Sequence, residues 1–451
     1  MIRNRASLTA HGHGEARRDL LEIATAALER VHPSRTVPAV VTREGTTLHV
    51  DGRPFDLEQY DDVYVIGAGK GSVDVVDALA SRLGEALTDG VVAEKRGQER
   101  ALDGVTVYGA GHPVPDETSL EAGTAIADLA ERAGANDLVF VCITGGASAQ
   151  CVVPSAGLDL ADLRGTTETL LRAGLAIDEV NAVRKHLSAI KGGRLAQRIA
   201  PASAVSLVVV DEVAGEPWGP TIGDETTVGD ALAVLERHGL ERSVPSAVRS
   251  HLECDSEESA ETPTPADLEP LETFVTVLAE PADACEAARN RAVALGYEST
   301  ILSTSIEGES REVAVVFAGI ADEIRTAGRP IEPPCVVVSG GETTVTVSDD
   351  AGRGGPNQEF ALAFALEIAD TPDVAALALG TDGTDGPTEL AGGLVDGTTV
   401  PRLRDAAVDP WAHLHRHDSS APLEAVDDAI ETGPTGTNVM DLRLVVVTSS
   451  A

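Results

Sequence analysis

The sequence predicts an α/β protein of two domains, and three features of the chain carry that expectation. Short runs of Val, Ile, Leu and Ala alternate with amphipathic stretches of helical length, the pattern of strands covered by helices on both faces. Several runs end in glycine loops: VIGAGKGS (65–72), CITGGASAQ (142–150) and VVVSGGETT (336–344). Between the two series lies HLECDSEESAETPTPADLEPLE (251–272), which is acidic, contains proline and is poor in large apolar residues, the composition of a linker. The expected boundaries are a first domain over 1–250, an acidic linker over 251–270 and a second domain over 271–451.

In the first domain, DDVYVIGAGKG (61–71) is a strand entering a glycine loop, and SVDVVDALASRL (72–83) follows as a helix. NDLVFVCITGGASAQ (136–150) repeats the arrangement, and SAVSLVVVDEVAGEP (203–217) reads as a further buried strand ending in a loop. Residues 181–190 read as a helix ended by Gly192 and Gly193. In the second domain the strands expected are TFVTVLAE (273–280), STILSTSIEG (299–308), PPCVVVSGGETTVTV (333–347), VAALALGTDGTDG (374–386) and LRLVVVTSS (442–450), with helices over 281–297, 310–328 and 357–370. Open parallel sheets bind ligands at the carboxyl ends of their strands, and the glycine loops fall there in both series.

Composition narrows the function classes. The chain has 451 residues, 43% of them hydrophobic, with no run of about 18 apolar residues and no apolar core near the N-terminus. A cytoplasmic protein without membrane association is expected. With 34 Lys plus Arg against 73 Asp plus Glu, the net charge is −39. In molar salt the Debye length falls to about 3 Å and screens most of that repulsion, so the composition reads as adaptation to a salt-rich interior. It excludes a general nucleic-acid role, which needs a basic face. The five cysteines are scattered and form no CxxC pair, so neither a zinc site nor a disulfide framework is expected.

The loops are then weighed for chemistry. GAGKGS departs from the dinucleotide fingerprint, with Ser72 in place of the third glycine, and from the phosphate loop that ends in GK[ST]. What remains is a turn bringing Lys70 to a strand mouth beside a helix start, as a phosphate contact or a solvated loop lysine. In TGGASAQ, Gly145 and Gly146 free main-chain N–H groups to face an anion beside the Ser148 hydroxyl; a plain strand-to-helix turn is the alternative.

The stretch NAVRKHLSAIKGGRLAQR (181–198) holds Arg184, Lys185, Lys191, Arg194 and Arg198 with no acid. On a helix, Asn181, Arg184, Ser188 and Lys191 would share one face, meeting either an anion or carboxylates from elsewhere in the chain. Arg353, among the glycines of GRGGPNQEF (352–360), suits an oxyanion clamp or an incidental place in a hairpin. Asp382 and Asp385 in GTDGTDGPTE (380–389) suit a hard cation such as magnesium, and Asx-turn chemistry accounts for them equally.

Taken together and in order, VIGAGKGS, GHPVPDETSLEAG (111–123), TGGASAQ, NAVRKHLSAIKGGRLA, SGGETTVTV, GRGGPNQEF, GTDGTDGPT and TGPTGTNVMDLR resemble the class II glycerate 2-kinase family, whose C-terminal part is the MOFRL domain. The resemblance implies an N-terminal Rossmann-like parallel-sheet domain, a smaller C-terminal α/β domain and an active site in the cleft between them. It implies phosphorylation of D-glycerate at the 2-hydroxyl by ATP, giving 2-phosphoglycerate and ADP, with Mg2+.

By the same resemblance Lys70 and Arg353 are catalytic, and Ser148, Gly145, Gly146, Asn181, Arg184 and Lys191 contact the anionic substrate. Gly67, Gly69, Gly340, Gly341, Glu342, Asn357 and Thr381 contact the nucleotide, and Asp382 and Asp385 the metal. Asp382, Asp385 and Asp211 are the candidates for accepting the hydroxyl proton. Trp218, Thr144, Ala147 and Pro356 depart from the family pattern and bear on the shape of the substrate pocket. Small molecules are the expected partners, with a homodimer as the assembly to test. Two rival readings are an NAD-dependent 2-hydroxy-acid dehydrogenase with Glu94 as its ribose acid, and a non-catalytic nucleotide or sugar-acid sensor.

Overall fold

The computed structural model describes the chain except for residues 212–217, 255–260, 348–350 and 449–451. The chain folds as two compact units, one containing Thr36–Val210 and the stretch from Trp218 to Leu278, the other containing Met1–Arg35, Asp211 and Ala279–Ala451.

The first of these units carries a small antiparallel meander of β1 (Val41–Glu44), β2 (Thr47–Val50) and β3 (Arg53–Asp56). Its main sheet contains β4 (Val63–Ala68), β5 (Asp89–Lys95), β6 (Val105–Ala110), β7 (Leu138–Ile143), β8 (Ser203–Val209) and β9 (Thr273–Ala279), in the order β6-β5-β4-β7-β8-β9. The pairings β5–β6, β4–β5, β4–β7 and β7–β8 are parallel. All six residues of β4 and of β7 are buried, which is why these strands read as continuous apolar runs.

Helix Ser72–Leu83 turns Val73, Val75, Val76, Leu79 and Leu83 into the core, each side chain contributing about 1.5–3 kcal/mol on burial. Helix Glu117–Arg132 starts at a capping box in which Asp116 and Ser119 satisfy each other's backbone. Because β5 and β6 lie on one side of β4 while β7 and β8 lie on the other, the strand order reverses between β4 and β7. Such a switch point is where open α/β sheets bind ligands.

The second unit holds β10 (Glu298–Ile306), β11 (Cys335–Gly341), β12 (Val374–Gly380), β13 (Gly392–Asp396), β14 (Ala429–Ile430) and β15 (Asp441–Val447), in the order β10-β11-β15-β12-β13-β14. Only β10–β11 is parallel; the other pairings are antiparallel, so this sheet is mixed. Helix Pro356–Glu367 is buried from Asn357 through Ala365, leaving no polar face for solvent.

The units differ from the segments expected from the linker composition. TFVTVLAE forms β9 at the edge of the first sheet, and Ala204 donates to the Glu272 carbonyl at 2.8 Å. Both described flanks of the acidic stretch are packed: helix Ser246–Leu252 buries Val248 and Leu252, and Thr262 donates to Asp224 at 3.0 Å. The centre of that stretch, 255–260, lies outside the described residues.

The N-terminal 35 residues join the other unit through Arg17, which is fully buried in helix Gly14–Val31. Arg17 donates to Asp396 at 2.9 Å, to the Leu394 carbonyl at 3.0 Å, to the Leu8 carbonyl at 2.6 Å, and to Asp428. Burial alone would push the Asp396 carboxyl up. The Arg17 charge and the Thr398 hydroxyl outweigh it and hold Asp396 well below the ordinary carboxylate range.

Replacing Arg17 by Met leaves the buried Asp396 without its cation and Asp428 with Arg402 alone, at 2.6 Å, and breaking such a network from one side costs about 3–5 kcal/mol. Calorimetric melting of Arg17→Met is expected to show that loss. Adding Asp396→Asn is expected to recover part of it, since one uncompensated charge is then gone.

Candidate functional site

The two glycine loops at the switch point are fastened together. Lys70 N donates to the Gly145 carbonyl at 2.7 Å, Thr144 N to the Ala68 carbonyl at 3.0 Å, and Gly69 N to the Ala93 carbonyl at 3.1 Å. Gly69 has φ +119°, and a Cβ there would stand 2.2 Å from the Thr144 carbonyl oxygen, so only glycine permits the contact. Gly146, at φ +88°, lies under the His112 ring, 2.9 Å from a Cβ built on it. Gly67 is required for a different reason: a Cβ there would meet Val76 at 2.9 Å, inside the sheet–helix packing. The Lys70 side chain is half-buried at the mouth of β4.

Beneath the first loop sits Glu94, at 1% exposure. Its carboxylate accepts from Gly71 N at 3.0 Å, Val73 N at 3.1 Å and Lys95 N at 2.8 Å. Burial pushes its pKa up to about 7 against these three amides, which favour the charged form. Two of the donors belong to the start of helix Ser72–Leu83, the place where a dinucleotide-binding fold receives pyrophosphate. Here an internal carboxylate fills it. The dehydrogenase reading is thereby corrected, because Glu94 holds the loop's own amides and is closed to a ribose.

The basic stretch 181–198 separates into two groups. The helix runs Ile177–His186, starting before and ending short of the expected 181–190, so Ser188 and Lys191 lie on the following bend and not on a shared helical face. Gly192 and Gly193, at φ +58° and +86°, carry the chain through that bend against Thr262 and Leu268.

Lys185 pairs with Asp224 at 2.6 Å, Arg198 with Glu131, and Arg194 donates to the carbonyls of Lys185, Ser188 and Glu261 at 2.9–3.0 Å. These three are structural. Arg184 and Lys191 instead line a small cavity, of about 20 Å³, together with Ser148, Ser188, Thr166 and Thr167 and the apolar side chains of Pro115, Val152, Leu163 and Leu187. Desolvation lowers Arg184 to about 10 and Lys191 to about 8, the latter helped by the neighbouring Arg184 charge. Lys191 Nζ donates to the Cys151 carbonyl at 2.5 Å; among the described residues Arg184 has no hydrogen-bond or carboxylate partner. Asn181 is not among the residues lining the cavity.

In the second unit most predicted residues serve the framework. Gly340 packs on Cys285 Sγ, 3.1 Å from a built Cβ, and Gly341, at φ +119°, lets Ile306 of β10 approach where a Cβ would stand 2.2 Å from its nitrogen. Glu342 is exposed beside them. Thr381 is buried and bonds the Met440 carbonyl at 2.6 Å.

Asp385 accepts from Asn357 N and Nδ2 at 3.0 and 3.1 Å, and from Gln358 N and Nε2 at 2.8 and 2.9 Å, so both of its oxygens are spent on the start of helix Pro356–Glu367. Burial pushes it up to about 7. Asp382 holds Thr384 N and Oγ1 at 2.9 and 3.0 Å, the Asx turn weighed from sequence. Among the described residues no group of three or more His, Cys, Asp or Glu is gathered for a metal. The glycines around Arg353 make room for Asp418, Ser419 and Asp385, each within 2.4 Å of a built Cβ. Arg353 itself is half-exposed, with its side chain paired to Glu424 and its N–H donating to Asp418 at 3.1 Å.

A family model described as a domain of unknown function, DUF4147, matches residues 19–253, and the MOFRL family model matches 335–441. A protein of Pyrococcus horikoshii named glycerate 2-kinase is 39% identical over 432 residues, 95% of this chain and 97% of its own length. The chain belongs to the glycerate kinase family. A relative of Agrobacterium vitis named "Putative hydroxypyruvate reductase" is 39% identical over 85% of this chain and 98% of its own. The solved structure of a glycerate kinase from Thermotoga maritima, 33% identical, superposes with a TM-score of 0.80 over 96% of this chain and 100% of that one.

Within this family fold, three features escaped sequence reasoning. Thr166 and Thr167 line the cavity from a helix whose sequence carries no motif. His417, at φ +50°, pairs through Nδ1 with the buried Glu359 carboxylate at 3.0 Å, across 58 residues. Glu94 closes a helix start that lies on a different strand. A glutamate ending an apolar run was the available signal for the last.

Glu94→Gln keeps the shape but turns an amide N–H2 toward one of the three donors, at a cost of about 1–3 kcal/mol. The pH dependence has a definite sign. The folded pKa of Glu94 lies above its unfolded value, so its contribution is complete below about pH 4 and is lost as pH rises through about 7. Denaturant midpoints are expected to show wild-type stability falling relative to Glu94→Gln between these limits, and the difference levelling above them.

Proposed function

We propose that the chain transfers the γ-phosphoryl group of ATP to the 2-hydroxyl of D-glycerate, releasing 2-phosphoglycerate and ADP. One observation carries the reading from geometry. The loop 144–150 joins two cationic places, bonding Lys70 through Gly145 and lining the Arg184–Lys191 cavity with Ser148. Such a loop serves a substrate with an anionic group at one end and a reacting oxygen at the other. The likeness to a protein named glycerate 2-kinase over 95% of this chain supports the same assignment.

In this transfer the 2-hydroxyl oxygen attacks the γ-phosphorus, the bond to the β–γ bridging oxygen breaks, and ADP carries away that electron pair. The protein's task is positioning and charge neutralisation. Lys70 is assigned to the transferring phosphoryl oxygens, reached from the mouth of β4. Arg353 is assigned the same charge, exchanging Glu424 for a substrate oxygen; its half-exposed position makes that exchange cheap. Gly145, Gly146 and Asn181 are assigned to the acceptor side. Glu342 and Asn357 are assigned to the nucleotide, whereas Gly67, Gly69, Gly340, Gly341 and Thr381 support their loops by packing.

Asp385 is assigned to its helix and Asp382 to the metal, which leaves Asp211, bonded by Asn438 at 3.1 Å, to take the hydroxyl proton. Magnesium fits as a companion of ATP, since it needs only one or two carboxylates besides phosphate oxygens, and Asp382 would hold it. Bound there, it supplies neutralisation of the spreading phosphoryl charge.

A coupled ADP assay with D-glycerate, ATP and Mg2+ in molar salt is expected to show turnover, with 2-phosphoglycerate identified by NMR. Lys70→Ala and Arg353→Ala are each expected to lower kcat by about 10²–10³-fold. NAD(P)H-dependent reduction of hydroxypyruvate without ADP formation would instead favour the reductase reading. ATP binding without turnover would favour the sensor.

A further inference from the structure

We propose that Asp418 is a positioning residue of the phosphoryl transfer, holding the main chain of Arg353 in place while its guanidinium exchanges Glu424 for a substrate oxygen. The proposal rests on the kinase reading for the role of Arg353, and on the second unit alone for its geometry.

The first observation is where the bonds of Arg353 go. Its N–H donates to Asp418 Oδ1 at 3.1 Å, its carbonyl accepts from Ser420 N at 3.0 Å, and its side chain pairs with Glu424. All of these partners lie in one segment, 418–424, which follows helix Pro410–Leu414 and contains helix Ser420–Ala425. One residue earlier, Gly352 N donates to the Arg416 carbonyl at 2.7 Å. The half-exposed pair with Glu424 is cheap to break, whereas the main-chain bonds keep the arginine where it stands.

The second observation is fit. A Cβ on Gly352 would stand 2.3 Å from Asp418 Cβ, so the carboxylate reaches Arg353 N only because position 352 carries no side chain. On the other side of the arginine, a Cβ on Gly354 would stand 2.3 Å from Ser419 Oγ. The glycines flanking Arg353 therefore serve the close approach of residues 418–420.

The third observation is how the carboxylate is itself held. Asp418 Oδ2 lies 2.9 Å from His413 Nδ1, and because a carboxylate only accepts, the ring N–H donates. The chain turns back between these two residues, with Asp418 N donating to the His413 carbonyl at 3.0 Å and His417 at φ +50°. A left-handed residue other than glycine persists only where its surroundings fix it. The His417 ring is fixed on Glu359 at 3.0 Å, in the helix that follows the arginine loop. The turn that carries Asp418 is thus tied to the loop it serves and to the helix after it. A displacement of about 1 Å costs up to about 10²-fold in rate, so a residue that fixes the arginine backbone acts on the transfer without touching substrate.

Steady-state kinetics of the full chain with D-glycerate, ATP and Mg2+, read as ADP release, tests the assignment. Asp418→Ala is expected to lower kcat by about 10-fold and to leave the KM for both substrates within about twofold. Asp418→Asn keeps an oxygen for Arg353 N and turns its amide to the other tautomer of His413, so its kcat is expected within about threefold of wild type. In an Arg353→Ala background, Asp418→Ala is expected to add less than about twofold, because both substitutions remove the same interaction. His413→Phe is the companion should Asp418→Ala melt early, with a loss of about threefold in kcat that is again absent without Arg353. Wild-type kcat in the folded variants overturns the proposal. So does a loss of equal size with and without Arg353, the mark of a merely structural role. Turnover that depends on Arg353 and is indifferent to Asp418 removes the positioning alone, whereas full activity in Arg353→Ala removes the catalytic arginine and Asp418 with it. Amide hydrogen exchange over 351–360 that quickens in Asp418→Ala, with no ADP formed by the wild type, leaves the anchor standing and removes the kinase reading.

Discussion

The contact between Gly69 and Thr144 sets the terms for the first unit. A side chain at 69 would overlap the Thr144 carbonyl, so the loops after β4 and β7 close on each other only because that position is glycine. Once closed, they share the hydrogen bond from Lys70 N to the Gly145 carbonyl, which ties one loop to the other. Lys70 and Ser148 are then held by a single rigid element at the strand ends, and geometry of that kind is what positioning catalysis demands. Glu94 completes the arrangement from below. By occupying the amides of Gly71 and Val73 it leaves the loop shaped for a lysine and closed to a pyrophosphate.

Electrostatics in so acidic a protein sorts cations by what they meet. Exposed pairs such as Arg198 with Glu131 contribute little, about 0–1 kcal/mol, and less still in salt. Arg17 belongs to a different regime, because no solvent screens it from Asp396 and Asp428. Its value lies in specifying one place for the N-terminal helix, against Leu394 of β13 and the turn at Asp428, since any other docking would bury a lone guanidinium. Arg184 represents a third case, a cation partly withdrawn from water with no hydrogen-bond or carboxylate partner among the described residues.

Much of the fold was legible in the sequence because fully buried strands and amphipathic helices write their periodicity directly into the chain. Helix Ser72–Leu83 matches its expected bounds, β4, β7, β8, β11 and β12 fall inside their expected runs, and β15 begins one residue before its own. What was not legible depends on partners distant in sequence. Nothing local tells TFVTVLAE that it pairs with β8 and not with the strands that follow it, or the helix of Arg17 that its carboxylates lie near residues 396 and 428. Short strands such as β13, GGLVD, carry too few side chains for a period to show. At the site, residue types were legible and roles were not. Arg184 and Lys185 are neighbours with the same charge, and only the position of Asp224 distinguishes the structural cation from the open one.

The same distinction bears on how an acidic enzyme can bind acids at all. The field of 73 carboxylates opposes every anionic substrate, and high salt removes that long-range opposition along with any long-range attraction. Affinity must then come from contacts inside the Debye length, where water is excluded and the effective dielectric is low. A small cavity with apolar walls and two desolvated cations meets that requirement, and a broad basic surface would not. Local, buried positive charge is therefore compatible with a strongly negative exterior, and the acidic composition leaves the chemistry of the site intact.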